Sequence, residues 1–113
     1  MKKFLKTNSK KINVVFAQND DMALGAIEAI KEAGLIPGKD ITVIGIDGTK
    51  QALMSINKGE LYCTIECNPL LGPQLMKTAK QIMAGNEVPV KIVNAEDIFT
   101  KTNSTKEINN RQY

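Results

Sequence analysis

Three polar groups stand at the ends of apolar runs in this 113-residue chain, and they hold the side chains best suited to ligand binding. Asn19 follows the run at 12–17, and Asp47 follows the run at 41–46. Glu66, Cys67 and Asn68 close the run that begins at residue 61. A carboxylate can accept hydrogen bonds from two neighbouring hydroxyls of a polyol, and an asparagine amide both donates and accepts, as a hydroxyl does. The same residue types also cap helices and form turns. Taken singly, each fits either role; three polar strand ends on one sheet edge weigh toward a binding cleft.

Catalytic chemistry has less support. The chain has no histidine, so there is no imidazole base or metal ligand, and Cys67 lacks an activating partner. Asp47 and Glu66 form a conceivable carboxylate pair, but there is no Gly-rich phosphate loop. Cys63 and Cys67 would lie ~13 Å apart on a strand, too far to bridge. They read as small buried apolar residues, and Met22, Met54, Met76 and Met83 as core filler. No enzyme activity, metal or cofactor is expected.

The elements that must position these groups follow from periodicity. Short β-branched runs at 12–17, 41–46 and 61–67 predict strands, the first buried on both faces. Helical spacing predicts helices over about 20–33, 50–57 and 71–84. Asn19 or Asp20 would cap the first, and Gly34, Gly59 and Gly85 would end the three in turn. Weaker strands are expected at 90–93 and 97–100, and the tail from 101 is polar. Strand–helix alternation through short turns implies a Rossmann-like parallel sheet with right-handed crossovers and flanking helices, an α/β fold of one domain over residues 1–113. The strand ends then share the edge where open parallel sheets bind ligands.

Net charge is +3, supplied mostly by Lys2, Lys3, Lys6, Lys10 and Lys11. No aromatic residues interleave with them as stacking on nucleic acid would require, so a solvated helix end is expected and no nucleic-acid partner. The basic start is not followed by the apolar stretch of a signal peptide or a membrane span. Phe4 and Leu5 suit the last turn of a helix leading into the first strand.

Val15-Phe16-Ala17-Gln18-Asn19-Asp20-Asp21-Met22-Ala23-Leu24-Gly25-Ala26, then Val43-Ile44-Gly45-Ile46-Asp47-Gly48-Thr49, then Thr64-Ile65 before Pro69, carry a resemblance. In that order they resemble the second lobe of the sugar-binding proteins of bacterial ABC importers, nearest the ribose- and galactofuranose-binding types. The resemblance runs from about residue 12 to the end of the chain. It implies part of a type I periplasmic-binding-protein fold, a protein whose two lobes close on a monosaccharide and deliver it to ABC permease subunits. It also implies an extracytoplasmic location, periplasmic or as a cell-surface lipoprotein. Asn19 and Asp47 match family positions that hydrogen-bond sugar hydroxyls. A third position, glutamine in ribose binders, falls at Cys67 between Glu66 and Asn68, a departure that puts ribose in question.

By the same standard the chain corresponds to a carboxyl-terminal part, with hinge crossings near 67–69 and 93–100. The apolar face of the third helix would then be uncovered and self-association is expected. The effector-binding core of LacI-type regulators shares this fold and is the alternative reading.

Overall fold

The computed structural model describes residues 1–8 and 11–113; Lys10 of the basic run lies outside the described residues. The elements are α1 (Lys2–Asn8), β1 (Val14–Phe16), α2 (Asp20–Glu32), β2 (Thr42–Asp47), α3 (Lys50–Asn57), β3 (Cys63–Glu66), α4 (Gly72–Met83), β4 (Ile98–Phe99) and α5 (Ser104–Glu107). The sheet order is β1-β2-β3-β4. The first three strands are parallel, with Phe16 opposite Ile44 and Asp47 opposite Glu66. β4 joins antiparallel through Thr64 opposite Phe99, so the sheet is mostly rather than wholly parallel. No strand forms at 90–93.

Local signals explain the helices that flank the sheet. Asn19 caps α2 in extended backbone, its side chain accepting from Met22 N, and Asp20 and Asp21 sit at the positive end of the helix dipole. Gly34, at φ 76°, ends the helix as Leu35 N returns to Ile30 O at 3.1 Å. Thr49 caps α3 by accepting from Ala52 N at 3.2 Å.

The core lies on one face of the sheet. Ala23, Ile27 and Ile30 of α2, with Leu53 and Ile56 of α3, pack over Ile41, Val43, Leu61 and Phe99. Each of the buried Val, Leu, Ile and Phe side chains contributes about 1.5–3 kcal/mol by leaving water. Leu5 adds α1 to this cluster; Phe4 stays exposed.

The opposite face is open, which corrects the expected burial of β1 on both sides. Val14 and Phe16 are 58% and 60% exposed. α2 and α3 both pack on the other face, and nothing among the described residues covers this one. The methionines are corrected likewise: Met22, Met54, Met76 and Met83 are all exposed, Met22 and Met54 on helices that bury other residues against the sheet and Met76 and Met83 on α4, none of whose residues is buried. Cys63 is buried and Cys67 exposed, both free thiols.

α4 has no buried residue. Leu71, Leu75, Met76, Ile82 and Met83 all face solvent, and with the irregular segment after α4 they leave a molecule of 60 × 29 × 16 Å. No helix among the described residues is long and apolar enough to cross a membrane.

Candidate functional site

Asn19, Asp47, Cys67 and Asn68 stand at the carboxyl edge of the three parallel strands, as the alternation of strand and helix requires. Asn19 is half-buried at the start of α2. Its Oδ1 is committed to Met22 N at 2.8 Å, which fixes the side chain. Among the described residues its Nδ2 makes no hydrogen bond to the protein.

Asp47 ends β2 with φ at 126°, the one non-glycine residue at positive φ among those described. Such a conformation costs on the order of 1–3 kcal/mol and persists only where the surroundings impose it. Its half-buried carboxylate has one weak protein partner, Asp20 N at 3.5 Å. The strand end therefore presents an under-used acceptor beside an amide donor. Gly48 follows at φ 78°, and a Cβ there would lie 2.9 Å from the Phe99 ring. Only glycine fits that turn.

Cys67 is held through backbone, its N–H donating to Asp47 O at 3.1 Å, which joins the ends of β2 and β3. Its thiol is exposed at the edge. Asn68 turns its Oδ1 onto Leu70 N at 2.8 Å, and its own N–H donates to Glu96 Oε1 at 3.1 Å.

Glu66 stands apart from these four. Its carboxylate is buried and already engaged, accepting from Arg111 Nη1 at 2.5 Å, from the Tyr113 hydroxyl at 2.7 Å and from Asp97 N at 3.1 Å. Burial pushes its pKa up, but the Arg111 and Tyr113 hydrogen bonds and the guanidinium charge outweigh it and hold the carboxyl below its ordinary value. Burial and the Glu66 hydrogen bond push the Tyr113 phenol up to about 12, so it stays a donor at neutral pH. Arg111 lies over the Phe99 ring at 4.3 Å. Glu66 thus anchors the tail, and a cavity of about 320 Å³ between Glu66, Asn68, Asp97 and Arg111 reaches neither Asn19 nor Asp47.

Two participants escape a reading of the sequence. Asp20 is wholly buried and accepts from Thr64 Oγ1 at 2.6 Å, Thr49 N at 2.8 Å and Thr49 Oγ1 at 3.0 Å. Burial drives its pKa up, the Thr64 and Thr49 hydrogen bonds oppose this, and the nearby Asp47 charge adds to the rise. Arg111 has no periodic or motif signal in a polar tail; only the fold brings it to Glu66.

Comparisons with known proteins agree with this architecture. The model of the periplasmic binding protein domain matches residues 1–87. The galactofuranose-binding protein YtfQ of Escherichia coli (strain K12) is 35% identical over 109 residues, 95% of this chain and 34% of its own. The ribose import binding protein RbsB of Bacillus subtilis (strain 168) is 47% identical over 78 residues, 68% of this chain and 24% of its own. A Mycobacterium smegmatis protein, solved in complex with β-D-fucofuranose, superposes with a TM-score of 0.89 at 45% identity. That match covers 99% of this chain and 36% of the other. The chain therefore spans between about a quarter and a third of these relatives. YtfQ and RbsB are named as binding proteins, not as enzymes. The chain belongs to the periplasmic binding protein domain family.

Proposed function

We propose that this chain forms one wall of a monosaccharide site in the solute-binding component of an ABC sugar importer. The observation that carries this reading is Asp47, held at φ 126° with its carboxylate nearly unpartnered beside Asn19, the cap of α2. A carboxylate and an amide so placed suit adjacent hydroxyls of a sugar ring. Cys67 joins them through its bond to Asp47 O, and Asn68 follows it on the Glu66 side. Glu66, saturated by the tail, supports the wall without needing to touch the sugar. YtfQ is named a galactofuranose-binding protein and RbsB a ribose import binding protein, which favours transport over a regulator. An extracytoplasmic location, contact with permease subunits, and hinge crossings near 67–69 and 93–100 belong to the same proposal.

A single wall supplies few of the contacts that bury a ligand. Titrated by NMR with methyl β-D-galactofuranoside, D-ribose or D-fructose, the chain is expected to bind one of them no tighter than about millimolar. Saturable shifts should centre on the amides of Asn19, Asp47 and Gly48. No shift at those residues with any of the sugars would remove the proposal.

Asn19→Asp separates the two roles of that residue. Aspartate caps as well as asparagine, so the melting temperature should change little, while loss of the amide donor should weaken sugar binding. If stability falls and binding does not, Asn19 is a cap alone.

The open sheet face, the unpaired outer edge of β1 and the bare α4 are unfavourable in water and recruit partners. Two copies of this chain covering one another satisfy them together. Light scattering at micromolar concentration is expected to give a dimer or larger species, and a strict monomer would defeat the association.

A further inference from the structure

We propose that Asp20, acting through Thr64 and Thr49, is the positioning residue of the binding edge: it anchors Gly48 and the extended Thr49 so that Asp47 and Gly48 keep the positive φ that aims the Asp47 carboxylate outward. The inference rests on the reading of Asp47 as a sugar ligand. The connections form a closed loop. Asp20 Oδ2 accepts from both Thr49 N and Thr49 Oγ1, and Asp20 Oδ1 accepts from Thr64 Oγ1. The Thr64 hydroxyl in turn accepts from Gly48 N at 3.1 Å. Asp20 N points at Asp47 Oδ2. Gly48 and Thr49 are thereby pinned to β3 through Thr64 and to α2 through Asp20, leaving Asp47 to absorb the unusual φ.

The sheet makes room for this arrangement. Gly45, in the middle of β2, lies under the Asp20 carboxylate, and a Cβ there would overlap Asp20 Oδ1. Glycine weakens a strand interior, and burying a carboxylate without a cation is unfavourable. Both features are explained if the geometry they secure serves binding. Neither is needed to cap α2, since Asn19 does that.

The test uses Asp20→Asn, which keeps the side-chain shape, alongside Thr64→Val and Thr64→Ser. The backbone at Asp47 and Gly48 is read from three-bond amide–Hα couplings and residual dipolar couplings, and sugar affinity from titration with methyl β-D-galactofuranoside. Asp20→Asn and Thr64→Val are expected to release Asp47 from positive φ and weaken binding about fivefold or more, the loss of one oriented hydrogen bond. Thr64→Ser, which retains the hydroxyl, should restore both. Because Thr64→Val leaves buried groups unpaired and threatens folding, Asp20→Asn decides if that variant does not fold. An unchanged Asp47 conformation in Asp20→Asn, or a changed one with unaltered affinity, overturns the proposal. If the unmodified chain binds none of the sugars of the preceding section, the sugar reading fails instead, and the couplings alone judge whether Asp20 positions Asp47.

Discussion

Asp47→Ala is expected to weaken sugar binding by at least about tenfold, because charge-assisted hydrogen bonds contribute about 1.5–3 kcal/mol each. The fold should survive: the Asp47 carboxylate makes only the 3.5 Å contact with Asp20 N, so little internal bonding is lost. Asp47→Gly sharpens the result. Glycine adopts φ 126° without the penalty that a Cβ imposes there, so its melting temperature should hold or rise while binding is lost. Stability and affinity moving in opposite directions would mark a residue strained for function. NMR titration and thermal denaturation of the same samples check both, and an affinity equal to that of the unmodified chain would remove Asp47 from the site.

The largest loss of stability is expected from Glu66→Ala. The Arg111 and Glu66 side chains are only 7% and 9% exposed, so removing the carboxylate leaves a buried guanidinium without its counter-charge. Breaking a buried pair from one side costs about 3–5 kcal/mol, which in a chain of this size lowers the melting temperature by roughly 10 °C or more. The Tyr113 hydroxyl and the Asp97 amide lose their acceptor too, so the tail and β4 should loosen together. Circular dichroism melting with hydrogen exchange at Asp97 and Phe99 measures this, and a melt unchanged from the parent chain would show that the tail is not anchored there. The pH dependence has a definite sign. The folded-state pKa of Glu66 is lowered, so its contribution is complete above the ordinary carboxylate value of about 4.3 and disappears as pH falls through the lower folded value. Glu66→Ala should lack that acid-labile component.

Much of the frame was legible in the residues. The helix spacing from Ala23 to Ile30, Gly34 behind it, and the apolar run from Ile41 to Ile46 led to α2, its stop and β2, because caps, periodicity and left-handed glycines act over one or two turns of chain. The same local logic put Asn19 and Asp47 at strand ends, and hence on one edge of a parallel sheet. Composition alone removed imidazole chemistry. What the sequence could not determine was which polar group remains free. Glu66 and Asp47 look alike as carboxylates closing strands. Yet Arg111 and Tyr113, forty-five and forty-seven residues away, occupy Glu66, while Asp47 is left nearly unpartnered. Asp20 passed for a helix-start acid until Thr64 and Thr49 were seen around it. Val14 and Phe16 read as doubly buried because a β-branched run records an affinity for a covered face without recording whether a cover exists. Tertiary structure decided these matters, since hydrogen-bond partners and the second layer of a sheet come from residues distant in the chain, and no local pattern encodes them.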